Sequence, residues 1–134
     1  MYQGRCLCGQ VTFTIDGPID NIVYCHCSRC RRVQGTAFAT NGNVKAENFR
    51  FLSGEANLTE YKESAEQSKY FCKSCGSPII SKNANHPENT RIRLGSIQSD
   101  INERPEAHIF VDSKANWDQI TDQLPQYREY ISDE

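Results

Sequence analysis

Cys25-His26-Cys27-Ser28-Arg29-Cys30 is the stretch on which the reading of this chain turns. Two further clusters accompany it, Cys6-Leu7-Cys8 and Cys72-Lys73-Ser74-Cys75, and together they hold all seven cysteines of the 134 residues. A closed structural zinc site takes four protein ligands. An open catalytic one takes three and leaves a position for water or substrate. One site of each kind gives every cysteine a place.

In extended backbone, side chains at i and i+2 share a face. Cys6 and Cys8 can therefore chelate one ion with Leu7 turned away, and Gly9 lets backbone crowd close to a metal or bulge the strand. Cys72-Lys73-Ser74-Cys75-Gly76 reads as a tight knuckle, its two thiolates converging while Gly76 takes the strained turn. A knuckle and a distant cysteine pair point to a four-thiolate zinc site that ties the first strand to the middle of the chain. A redox Cys-x-x-Cys would need βαβ surroundings, and the sequence offers none.

By the same alternation Cys25 and Cys27 share a face, and Cys30 swings back from the first turn of a short helix capped by Ser28 and ended by Gly35. A helix N-terminus favours the thiolate form. Three thiolates on Zn²⁺ give a negative complex with its fourth position open. A histidine can instead close this site, and the candidates are His26, His86 and His108. His26 points to the opposite face if Cys25 and Cys27 share one. His86 lies in the loop Asn85-His86-Pro87, and His108 sits on an expected strand, where a satisfied structural histidine is the commoner role. Spacing leaves the open and the histidine-closed site both standing, and it does not fix which cysteines group together.

Composition supports metal over disulfide. Only 37% of residues are hydrophobic, with mean hydropathy -0.67, a thin basis for a core that a metal staple would reinforce. Met1-Tyr2-Gln3-Gly4-Arg5 lacks the layout of a signal peptide, no apolar run is long enough to span a membrane, and seven thiols do not pair evenly. A cytoplasmic chain is expected. Fifteen Lys+Arg against 17 Asp+Glu give a formal charge of -2, so nothing favours a nucleic-acid partner.

Short strand-like pieces fill the rest. Val11, Phe13 and Ile15 alternate with Thr12 and Thr14. Others are Ile22–Tyr24, Ala37–Ala39, Phe49–Leu52, Leu58–Tyr61, Tyr70–Cys72, Ile79-Ile80, Arg91–Leu94 and Ala107–Val111. Turn residues separate them at Asp16-Gly17-Pro18, Asn41-Gly42-Asn43, Ser53-Gly54, Gly76-Ser77-Pro78 and Asn83 to Asn89. The pattern predicts an all-β chain whose residues 1–134 form one domain, with a second helix in Trp117 to Ile131, interrupted at Pro125. Arg29, Arg31 and Arg32 flank the middle cluster as candidate carboxylate partners or as a solvated helix face. Phe38, Tyr24 and Trp117 are candidates for a pocket or for the core.

Nearly the whole chain resembles the glutathione-dependent formaldehyde-activating enzyme family, which includes the centromere protein V domain. The resemblance rests on Gly4-Arg5-Cys6-Leu7-Cys8-Gly9, the Cys25–Cys30 stretch, Gly35-Thr36-Ala37-Phe38, Phe71–Pro78, Leu94-Gly95-Ser96-Ile97 and His108–Trp117. It implies stacked antiparallel sheets in a zinc-bearing β-tent and two zinc ions per chain. It also implies a structural zinc on Cys6, Cys8, Cys72 and Cys75, and a functional zinc on Cys25, Cys27 and Cys30. The implied activity is that of a carbon–sulfur lyase joining glutathione and formaldehyde, with a non-catalytic glutathione or metal carrier, or an interaction module, as the alternative.

Overall fold

Residues 1–131 are described by the computed structural model. Strands β1 (Tyr2–Arg5), β2 (Thr12–Ile15) and β5 (Phe49–Ser53) form a three-stranded antiparallel sheet with β2 in the centre. The larger sheet holds β3 (Asp20–Cys25), β4 (Ala39–Lys45), β6 (Leu58–Lys62), β7 (Gln67–Cys72), β8 (Pro78–Asn83), β9 (Asn89–Arg93) and β10 (Ala107–Ile109). Its spatial order is β10-β3-β4-β9-β8-β7-β6. All of these strand pairs are antiparallel except β10 with β3. The described residues are mostly β-sheet, with one α-helix, α1 (Ser28–Gln34), and several 3-10 turns.

Alternation along β3 sorts two layers. Ile22 joins the main core with Val11, Phe13, Ile15, Val44, Ile80 and Ile92, while its neighbour Val23 joins a smaller cluster with Cys25, Ala107 and Ile109. Phe13 is fully buried and stacks on Phe49 with centroids 5.1 Å apart. Burying such a side chain contributes about 1.5–3 kcal/mol. The large sheet therefore turns one face to the three-stranded sheet and presents Cys25 on the other.

Four expectations are corrected. Asn41-Gly42-Asn43 is not a turn but the middle of β4. Gly42 belongs there because a Cβ would lie 2.5 Å from Ile19 Cγ2, and both asparagines find partners on β9. Of Ala37–Ala39, only Ala39 is in a strand. Ser28 opens α1 but does not cap it; Cys27 is the N-cap, its Sγ accepting from Cys30 N, and Gly35 closes the helix at φ 67° as expected.

The fourth concerns the tail. Residues 114–131 contain no helix, and Trp117 is 69% exposed, outside the core. Pro125 lacks a donor but its carbonyl accepts from His108 N at 2.9 Å, and Tyr127 N donates to His108 O at 2.9 Å. Phe110 N donates to Glu129 O at 2.9 Å. The segment places its hydrogen bonds along β10 instead of within itself. No helix among the described residues is long and apolar enough to cross a membrane.

Candidate metal centres

The fold gathers the cysteines into two groups, Cys6 with Cys8, Cys72 and Cys75, and Cys25 with Cys27 and Cys30. Within each group the sulfurs lie within 4.8 Å of one another, and all seven thiols are free. In the first group Cys6 Sγ lies 3.5 Å from Cys8 Sγ, which lies 3.8 Å from Cys72 Sγ. A tetrahedral zinc with Zn–S bonds near 2.3 Å sets its sulfurs ~3.8 Å apart, whereas a disulfide needs ~2.05 Å. The donor set fits a soft four-coordinate ion.

N–H groups orient these sulfurs. Val11 N donates to Cys6 Sγ at 3.3 Å, and Asn57 Nδ2 to Cys72 Sγ at 3.2 Å. The Ser77 hydroxyl, then the backbone at Cys8 and Ser77, pull the Cys75 thiol down to about 5. Gly76 takes φ 80°, the left-handed turn that the knuckle requires. Such contacts fix ligand direction before any ion arrives.

The three-cysteine group is assembled from the end of β3 and the first turn of α1. Cys25 is buried, and Cys27 and Cys30 are half-buried. Hydrogen bonds from the Cys25 and Cys30 thiols, then from the Cys30 and Arg29 backbone, hold the Cys27 thiol far below its usual range, against burial. The same sharing drives Cys25 up. One sulfur is thus favoured as thiolate and its neighbours as thiols, and the three together could hold a metal ion.

His26 does not join this group. Its ring is buried, with Nε2 2.8 Å from His108 Nδ1, and His108 Nε2 lies 2.9 Å from Asp122 Oδ2. His108 is the satisfied strand histidine that the sequence suggested. His86 pairs loosely with Glu88 at 3.6 Å on the surface.

Sequence reasoning missed Arg91 and Arg93, read there only as strand. They share a face of β9, and each is clamped by the asparagine opposite it on β4: Arg91 Nη1 donates to Asn43 Oδ1 and Arg93 Nη1 to Asn41 Oδ1, both at 2.7 Å. Arg93 is only 5% exposed, and neither arginine meets a carboxylate among the described residues. Burial lowers the pKa of both, while the Cys25 and Cys30 sulfurs oppose it as their counter-charge. The alternation Arg91-Ile92-Arg93, basic around a buried isoleucine, was the available signal.

A cavity of about 570 Å³ opens beside these elements, lined by Arg5, Cys6, Gln34, Phe38, Thr40, Arg93 and neighbours. Cys25, Cys27 and Cys30 are not among its lining residues, nor are Arg29, Arg31 and Arg32. Phe38 lines it as a pocket aromatic, while Tyr24 packs edge-on behind Phe38 at 4.8 Å.

The profile of the glutathione-dependent formaldehyde-activating enzyme family matches residues 1–113. The chain belongs to that family. Curated proteins of Aspergillus flavus and Aspergillus oryzae that bear the family's name are each 32% identical over 85 residues, which is 61% of this chain and 44% of theirs. The chain thus aligns with less than half the length of these family relatives. A crystal structure of a Rhodobacter sphaeroides protein shares the fold at TM-score 0.63 and 24% identity, covering 77% of this chain and 97% of that one.

Proposed function

We propose that this family member is a zinc-dependent carbon–sulfur lyase that interconverts glutathione plus formaldehyde with S-hydroxymethylglutathione. In this reading Cys6, Cys8, Cys72 and Cys75 hold a structural zinc, and Cys25, Cys27 and Cys30 hold the functional one. The observation that carries it is the three-sulfur group that no described histidine joins, His26 Nε2 being engaged with His108 instead. Family membership supplies the thiol and the aldehyde.

The chemistry needs no redox partner. The glutathione sulfur adds to the formaldehyde carbon, the C=O electron pair moves to oxygen, and the thiol proton ends on that oxygen. The lyase direction reverses each step. A zinc ion at Cys25, Cys27 and Cys30 supplies Lewis acidity, which lowers a thiol pKa or polarises a carbonyl. The chain's own residues hold that centre and bias its field: Arg91 and Arg93 set two guanidinium charges near the thiolates, each fixed by an asparagine. Because thiols add to formaldehyde unaided, much of the acceleration rests on holding both partners in register. Seven free thiols suit a reducing compartment, and on that ground we place the protein in the cytoplasm.

The rival reading, a glutathione or metal carrier or an interaction module, draws on the three cysteines lying outside the cavity lining. NMR exchange between formaldehyde, glutathione and their adduct separates the two. The zinc-loaded chain should accelerate exchange over buffer, and Cys30→Ala should abolish the gain. Equal rates in all three reject the lyase, while glutathione binding without acceleration selects the carrier.

A further inference from the structure

Besides His26 Nδ1, three buried side-chain nitrogens have no hydrogen-bond partner among the described residues: Arg31 Nε, Gln34 Nε2 and Arg93 Nε. All three are donors. Buried donors are paired in the great majority of proteins, and a charged one left alone costs the most. Two of the three residues, Gln34 and Arg93, line the 570 Å³ cavity. Asn41 occupies Nη1 of Arg93 and leaves the Nε side of the guanidinium fork without an acceptor.

The charge of the lining points the same way. The whole chain has more acidic than basic residues, 17 against 15. The cavity reverses that balance, with Arg5 and Arg93 in its lining and no Asp or Glu. Arg5 is held at the rim by its bonds to the Cys6 and Leu7 carbonyls. A ligand bringing acceptors and negative charge meets what the protein leaves unmet.

Position ties the cavity to the three-cysteine group. Gln34 follows Cys30 by four residues in α1, so the two share a helix face about one turn, ~5.4 Å, apart. A ligand whose sulfur reaches the Cys25–Cys27–Cys30 group therefore has a carboxylate a few bonds away within range of Gln34. We propose that Arg93 and Gln34 form a carboxylate-binding subsite in this cavity, which selects thiols carrying an anionic arm over neutral ones. Arg93 supplies charge and a two-pronged donor, and Gln34 a neutral donor that fixes the arm's direction. The inference rests on the thiol reading above, but its subsite is tested apart from the chemistry.

The test is calorimetric binding to the zinc-loaded chain of S-methylglutathione, which cannot react, and of its diester, which lacks the carboxylates. The acid should bind on the order of tenfold to a hundredfold more tightly than the ester. Arg93→Met should remove most of that gap, and Gln34→Glu, which puts a charge against the carboxylate, should narrow it while leaving ester binding unchanged. A purely structural role for Arg93 would weaken both ligands alike. If Arg93→Met fails to fold, Gln34→Glu on the rim of α1 carries the test alone. Equal affinity for acid and ester, no binding of either, or an unchanged gap in Gln34→Glu overturns the subsite. Persistence of the gap without formaldehyde exchange discards the lyase and keeps the subsite; exchange without a gap does the reverse.

Discussion

His26 Nε2 lies 2.8 Å from His108 Nδ1, so one ring nitrogen of the histidine set between Cys25 and Cys27 is already taken. The Asp122 carboxylate accepts from His108 Nε2–H, which leaves His108 Nδ1 to accept from His26 Nε2–H. His26 stands between Cys25 and Cys27 in sequence, yet its ring is turned into the protein and fastened there.

His26→Ala should therefore retain both metal ions, measured by elemental analysis of the purified chain. It should also lose roughly 2–3 kcal/mol of stability, because His108 Nδ1 is left buried without its donor. Loss of one metal equivalent would restore the histidine-closed site.

Cys72→Ala and Cys30→Ala should part company. Cys72 is fully buried in the core cluster, and its group joins β7 to the turn after β1. Its loss should leave the chain largely unfolded, whereas Cys30→Ala should lose one metal and keep a cooperative melt. Equal destabilisation in thermal melts would make both metals structural.

Two glycines with left-handed backbone should differ in cost. Gly76 has φ 80° with nothing within 4 Å of an added Cβ, so Gly76→Ala should cost about 1–2 kcal/mol of strain alone. At Gly54, φ 74°, the new Cβ would sit 2.0 Å from the Gln10 carbonyl oxygen. Gly54→Ala should lower the urea midpoint far more than Gly76→Ala, and equal shifts would contradict the packing of β5 against the residues before β2.

Asp122 gives a pH signature. Its hydrogen bond with His108, then one from Leu124 N, lowers its pKa below the ordinary 3.8. A depressed carboxyl stabilises the fold above its unfolded value and ceases to do so as pH falls through the folded one. Asp122→Asn should therefore melt lower than the natural chain at pH 7, and the two should converge as pH falls through the depressed Asp122 pKa, below the ordinary 3.8. A gap that persisted in acid would assign the effect to packing.

Much of this molecule was legible in its cysteines and its alternation. The knuckle at Cys72–Cys75 and the pair at Cys6 and Cys8 meet in space as their spacing suggested, because metal-ligand geometry is local and periodic. Asn41-Gly42-Asn43 misled because its residue types usually mark turns. Here the asparagines face buried arginines and the glycine admits Ile19, contacts between distant segments that no local rule contains. The tail misled for a related reason: its backbone partners belong to β10.

The parallel pairing of β10 with β3 sets a timetable for synthesis. His108 lies 82 residues beyond His26, so the strand that shelters Cys25 is made long after the cysteines themselves. At about 5–20 residues per second, roughly 4–16 s separate the two on the ribosome. During that interval the thiols of Cys25, Cys27 and Cys30 emerge uncovered, open to metal and oxidant alike. Metal supply to the nascent chain, and not only to the finished protein, would then govern how much of it matures intact.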